Sequence, residues 1–230
     1  MRTAIISAMR EELASVLALM PDEHRVAVGG REFFDGHLHG HAVVAGLSRI
    51  GKVAAATTAT ALIERFRVDR IVFTGVAGGI APGANVGDVV VAQAFLQHDL
   101  DASPIFPKYE VPLYGTSMFP TDRALTEQLG AAVRKALPAA RVHHGLVVSG
   151  DRFVATSAES RALQAALPDA LAVEMEGAAI AQVCHDYGVP FAAVRTISDR
   201  ADDDAHVDFL AFIRDVASRH SAAIVQAFLA

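Results

Sequence analysis

Short apolar runs alternate with stretches of helical period from one end of the chain to the other, the pattern of a mixed α/β fold. Residues 3–8 read as a first strand. Residues 9–20 read as an amphipathic helix whose first turn carries Glu11 and Glu12, where the helix dipole favours anions. Pro21-Asp22 ends that helix. Residues 26–28, 31–38 and 42–47 read as strands joined at Gly29-Gly30 and His39-Gly40, an antiparallel meander beside a parallel part. A helix over 53–66 leads to a buried strand at 69–74, and another strand at 88–96 follows a glycine-rich segment. Helices over 122–136, 158–166, 176–187 and 207–229 then alternate with strands at 142–149, 171–173 and 191–197. The stretch 102–120 breaks this rhythm with Pro104, Pro107, Pro112 and Pro120 and four aromatic residues. Long irregular segments of this kind serve as lids or contact surfaces.

Composition narrows the picture. No linker or repeat divides the 230 residues, a length that suits one α/β domain over 1–230. Hydrophobic residues make up 52% and charged residues 20%, enough apolar material for a large core and too little charge for disorder. The net charge of −6 offers no basic face to a phosphate backbone, so nucleic acid is excluded as a partner. The longest uncharged stretch, 71–87, holds five glycines and Pro82 and falls short of a membrane span. The apolar run at 3–8 is too short for a signal-peptide core, and Cys184 is the single cysteine. A reducing, cytoplasmic setting follows, with no disulfide and no thiolate metal cluster.

Several motifs have ordinary explanations. Gly46 to Val53 nearly fits a phosphate-binding loop, but Val53 stands where Ser or Thr would have to ligate Mg²⁺. The plain alternative is a helix N-terminus approaching a pocket. The segment Phe73-Thr74-Gly75-Val76-Ala77-Gly78-Gly79 lacks dinucleotide spacing. It reads either as a tight turn or as a glycine floor on which a flat base or sugar lies against backbone. His37, His39 and His41 read as an exposed hairpin tip, Asp202-Asp203-Asp204 as a solvated loop, and Cys184 as helix packing. No metal and no cofactor is expected.

The carboxylates carry more chemistry. Glu12, Glu174, Glu176 and Asp199 all stand just after or at apolar strand runs. In an open α/β sheet the carboxyl ends of strands border one crevice, so such acids can meet around a small molecule. Taken singly, each could be a helix cap. Together they suit the cleavage of a glycosidic C–N bond, in which one acid protonates the leaving base, one holds the sugar hydroxyls and one activates water.

Six segments together resemble the bacterial 5′-methylthioadenosine/S-adenosylhomocysteine nucleosidases. They are Ala8-Met9-Arg10-Glu11-Glu12, Ile50 to Ala55, Thr74 to Gly79, Ser149-Gly150-Asp151-Arg152-Phe153, Val173-Glu174-Met175-Glu176 and Ile197-Ser198-Asp199. Order and spacing match along nearly the whole chain. The resemblance implies a nucleoside phosphorylase-like α/β fold, three-layer α/β/α around a mixed, partly barrel-like sheet. It implies Asp199 as the acid towards adenine N7, Glu12 as the base for water, Glu176 on the ribose hydroxyls and Met175 beneath the sugar. Phe153 would stack on adenine and the backbone of Val154 would read the base edge. Val76, Ala77, Gly78 and Ser198 would complete the substrate site, with Glu174 assigned to it without a distinct role. Met9, Ile50 and Phe209 would form a slot for the 5′-thioether.

The resemblance further implies a homodimer, with Phe209 and the 101–115 loop near the partner's site. Some relatives carry a hydroxyl residue where this chain has Val76, and the 101–115 loop is the segment hardest to align. Aminodeoxyfutalosine hydrolysis, purine nucleoside phosphorolysis and a non-catalytic nucleoside-binding module are the competing readings.

Overall fold

The computed structural model describes residues 1–203, 205, 209, 212 and 216–230. In chain order it runs β1 (Arg2–Ser7), α1 (Arg10–Leu17), β2 (His24–Val28), β3 (Arg31–Leu38), β4 (His41–Leu47), α2 (Lys52–Phe66), β5 (Arg70–Gly79) and β6 (Val89–Gln97). It continues through β7 (Met118–Pro120), α3 (Arg123–Ala136), β8 (Val142–Ser149), α4 (Ser157–Ala166), β9 (Ala170–Glu174), α5 (Gly177–Tyr187), β10 (Phe191–Asp199) and α6 (Ser218–Leu229). Much of the first half of the helix expected over 207–229 lies outside the described residues.

Neighbouring residues on the central strands serve opposite layers, and this explains their unbroken apolar runs. Ile5, Val72 and Val194 face a cluster built with Leu13 and Val16 of α1, Leu129 and Val133 of α3, and Ile224 and Val225 of α6. Ile6, Phe73 and Ala193, each one residue away, face Leu62 and Phe66 of α2 and Ile180 and Cys184 of α5. Each large aliphatic or aromatic side chain so buried contributes about 1.5–3 kcal/mol. The result is three layers with the sheet in the middle.

Part of that sheet closes on itself. The order β10-β6-β8-β9-β5 returns to β10, because β5 pairs with β10 as well as with β9. The ring is mixed: β5–β10, β6–β8 and β8–β9 are parallel, while β6–β10 and β5–β9 are antiparallel. From β5 the sheet continues outward through parallel β1 and β4 to the expected antiparallel meander of β3 and β2.

Two expectations need correction. The glycine-rich segment 74–79 is not a turn; β5 runs straight through it to Gly79. The glycines are there because other groups come close. A Cβ at Gly75 would stand 3.0 Å from Arg195 Nη1, and one at Gly78 would stand 2.9 Å from Asp199 Oδ1. The irregular stretch 102–120 also contains a strand, β7, in which Phe119 is buried opposite Phe95 of β6. Its prolines mask it, since only an edge strand tolerates them.

Candidate active site

Three chain reversals at one end of the sheet build the site. β9 ends at Glu174 and α5 begins at Gly177, which puts Glu176 at the helix N-cap. The junction is tight, because a Cβ at Gly177 would lie 2.1 Å from the Phe95 ring. β10 ends at Asp199, where its register against β5 shifts between Ile197 and Asp199. Such a bulge re-aims side chains. Here Ser198 Oγ donates to Asp199 Oδ2 at 2.8 Å, while Ala201 N donates to Oδ1 at 2.9 Å. β1 leads into α1, whose first turn carries Glu12.

Between these reversals lies a cavity of about 310 Å³. Met9, Ile50, Val76 and Phe209 line it with apolar surface, and Ala77 and Gly78 of β5 line it with small residues. Phe153, Val154, Met175 and Ser198 add to the wall, as do the acids Glu174, Glu176 and Asp199. Ala8, Arg152 and Val173, which the sequence reading did not assign, complete it. Phe209, expected to reach across a dimer, lines the cavity of its own chain in edge contact with Phe153, ring centroids 5.6 Å apart.

Glu12 stands apart from this lining. Its carboxylate is fully buried behind Ala8 and Met9, with Oε2 accepting the Met9 amide at 3.1 Å and Oε1 accepting Ser221 Oγ–H at 3.0 Å. Burial outweighs these donors and raises its pKa to about 7. Glu176 is raised further, to about 8, first by burial and then by the neighbouring charge of Glu174. Both acids therefore change charge near neutral pH, where proton transfer is most effective.

Glu174 is held differently. It accepts the amides of Glu176 and Gly177 at 3.2 and 2.9 Å, a bond from the Ser149 hydroxyl, and Arg195 Nη2 at 2.8 Å. The Arg195 guanidinium in turn lies 3.6 Å from the Phe73 ring centroid. This dense set of donors fixes the Glu174 side chain, which anchors the start of α5. Arg195 and Ser221 were missed by sequence reasoning, and Ser149, named within a motif, was given no role. The signal for Arg195 was present, as a charged residue inside the apolar run of β10 that demands a buried partner.

The loop that resembled a phosphate site is a helix N-terminus at the cavity. Gly51 N donates to Glu176 Oε1 at 2.9 Å and Lys52 N donates to Asp151 Oδ1 at 2.7 Å. The positive end of α2 is thus answered by the chain's own carboxylates. His39-Gly40 forms the β3–β4 turn and His37 bonds Asp22. Asp203 accepts the Ser157 hydroxyl, Asp204 lies outside the described residues, and Cys184 is buried with its thiol pKa pushed up by desolvation. Among the described residues no cluster of His, Cys, Asp and Glu has the geometry to hold a metal.

A ring-closed mixed sheet between helical layers, with an acid-lined cavity at the strand ends, defines the nucleoside phosphorylase-like class. The sequence pattern of the Phosphorylase superfamily matches residues 2–230. A 5′-methylthioadenosine/S-adenosylhomocysteine nucleosidase of Shewanella denitrificans is 38% identical over 229 residues, spanning 100% of this chain and 99% of the relative. The crystal structure of the Neisseria meningitidis nucleosidase of that name, in complex with methylthio-immucillin-A, is similar with a TM-score of 0.93 at 37% identity, covering 99% of this chain and 97% of that one. The native structure of Helicobacter pylori futalosine hydrolase is similar with a TM-score of 0.91 at 32% identity, covering 99% and 96%. The chain belongs to the phosphorylase superfamily and, within it, to the 5′-methylthioadenosine/S-adenosylhomocysteine nucleosidase family.

Proposed function

We propose that the chain hydrolyses the N-glycosidic bond of 5′-thio-substituted adenosines, 5′-methylthioadenosine and S-adenosylhomocysteine, to adenine and the thioribose. One observation carries the reading: Glu12, Glu176 and Asp199, from three separate reversals, stand in or directly behind the wall of one small cavity. Asp199 donates its proton to adenine N7 as the C1′–N9 bond breaks and its electron pair passes to the base. Glu176 accepts hydrogen bonds from the ribose hydroxyls, and Met175 lies beneath the sugar. A water attacks C1′ and gives its proton to Glu12. Phe153 stacks on the base, the Val154 backbone reads its edge, and Ala77, Gly78 and Ser198 border the Asp199 end.

The 5′-thioether occupies the slot of Met9, Ile50, Val76 and Phe209. A weakly hydrated, polarizable sulfur is favoured there over a hydroxyl by roughly 1–3 kcal/mol. Hydrolysis rather than phosphorolysis is favoured because, among the described residues, the candidate phosphate donors near the cavity already have partners. The α2 amides face Glu176 and Asp151, Arg195 is bound to Glu174, and Arg152 is paired with Glu159.

The same reading makes the protein a cytoplasmic homodimer in methionine salvage, acting as one unit over 1–230. Support for the dimer comes from Ile105 and Leu113 in the 101–115 loop, which are 82% and 92% exposed and would be covered near the partner's site. Among the described residues no helix is long and apolar enough to cross a membrane.

Purified protein mixed with methylthioadenosine in phosphate-free buffer should release adenine and methylthioribose. No adenine, or adenine only when phosphate is added, would overturn the reading. Including aminodeoxyfutalosine in the substrate panel tests the activity of the futalosine hydrolase relative.

A further inference from the structure

Glu12 takes a hydrogen bond from the far end of the chain. Ser221 lies in the first turn of α6, is buried, and points its hydroxyl at Glu12 Oε1. The helix that carries it is not a loose appendage, since Ile224, Val225 and Leu229 are set in the core cluster shared with α1 and α3. A rigid element therefore delivers the donor. With the Met9 amide on Oε2 and the Ser221 hydroxyl on Oε1, both oxygens are pinned and the plane of the carboxylate is set. The two donors differ in place: Met9 belongs to the cavity wall, whereas Ser221 does not line the cavity.

We propose that Ser221 is a positioning residue for the hydrolysis, holding Glu12 Oε1 away from the cavity so that Oε2, beside Met9, meets the attacking water. The inference rests on the reading of Glu12 as the base. A hydroxyl donated to a carboxylate also favours its ionised form, the one that can accept a proton.

Other groups act on the same carboxyl. Arg195 from β10 favours ionisation by its charge, as do the amides of Ala8 and Met9, while burial opposes it. On α1 itself Glu11 is exposed. β1 and β4 beneath α1 carry their titratable residues, Arg2 and His41, at their first positions. On α6, Arg219 and His220 adjoin Ser221, and His220 stands edge-on to Phe212 with ring centroids 6.2 Å apart. None of these supplies the hydroxyl that Ser221 supplies.

The test is the pH profile of kcat/KM for methylthioadenosine in wild type, Ser221→Ala and Ser221→Thr, with the melting temperature of each recorded. In the alanine variant the acidic limb should move up by about one pH unit, the size of a hydrogen bond to a charged group. Turnover below the limb should fall about tenfold, and a smaller loss should persist above it, where the ionised carboxylate is no longer pinned at both oxygens. The threonine variant, which restores the hydroxyl, should return the limb towards its original position. An unmoved limb in the alanine variant, or a rate equal to wild type above the limb, overturns the positioning role alone. A wild type that releases no adenine overturns the function on which it rests, and the role with it.

Discussion

Arg195 donates Nη2–H to Glu174 Oε2 at 2.8 Å, and both side chains are almost wholly buried. The pair ties β10, which ends in Asp199, to the β9–α5 junction that presents Glu176. Two of the proposed catalytic and binding acids are thus referred to one buried ion pair. Burying two charges is costly, so their value lies in geometry and in the penalty for breaking them.

That penalty can be measured. Arg195→Met removes the cation and leaves Glu174 buried with its charge only partly answered. Urea denaturation should show a loss of about 3–5 kcal/mol. An unchanged midpoint would mean that Ser149 and the α5 amides alone satisfy Glu174.

Asp199→Asn keeps the size of the side chain and removes the proton it donates. Adenine release should slow by about 10²-fold or more. Near-normal turnover would assign leaving-group protonation to another residue.

Gly78→Ala tests the backbone wall. The new methyl would meet Asp199 Oδ1 at 2.9 Å and Ala201 Cβ at 3.0 Å, so the acid must shift. A displacement of that kind should cut kcat on the order of 10²-fold while substrate still binds. Equal kcat in the variant would show that the wall tolerates a side chain.

Stability should fall as pH rises through the neutral range. Glu12 and Glu176 hold their protons to about 7 and about 8 in the fold, against about 4.5 for an ordinary glutamate. The folded state therefore binds more protons than the unfolded chain, and the stability this gives is present at low pH and is lost as pH rises through those values. His98 and His220, whose pKa values burial lowers, oppose this trend only below their usual 6.5. Between pH 6.5 and 8.5 the two acids together should remove on the order of 2 kcal/mol. The double variant Glu12→Gln/Glu176→Gln should flatten the melting temperature across that window. A slope as steep as wild type would place the titration elsewhere.

Much of the site could be read before the fold was known, because acids interrupting apolar runs are visible one strand at a time. Glu174, Glu176 and Asp199 all fall where that reading placed them, at the ends of β9 and β10. What escaped it depends on contacts made across the chain. Gly75 and Gly78 looked like turn residues, since glycine weakens a strand, and only the approach of Arg195 and Asp199 explains them. The closure of the ring between β10 and β6 has no local signature. Ser221 is a small polar residue on an amphipathic helix, and nothing nearby announces a carboxylate 209 positions away.

The closed ring has a practical consequence for how the protein fails under heat. Strands β9 and β10, which end in Glu174 and Asp199, and β5, which lines the cavity, belong to a circle without terminal members, so none can peel off while the others stay paired. Warming should therefore abolish turnover and melt the ordered core together, with no window in which a well-folded but inactive species accumulates.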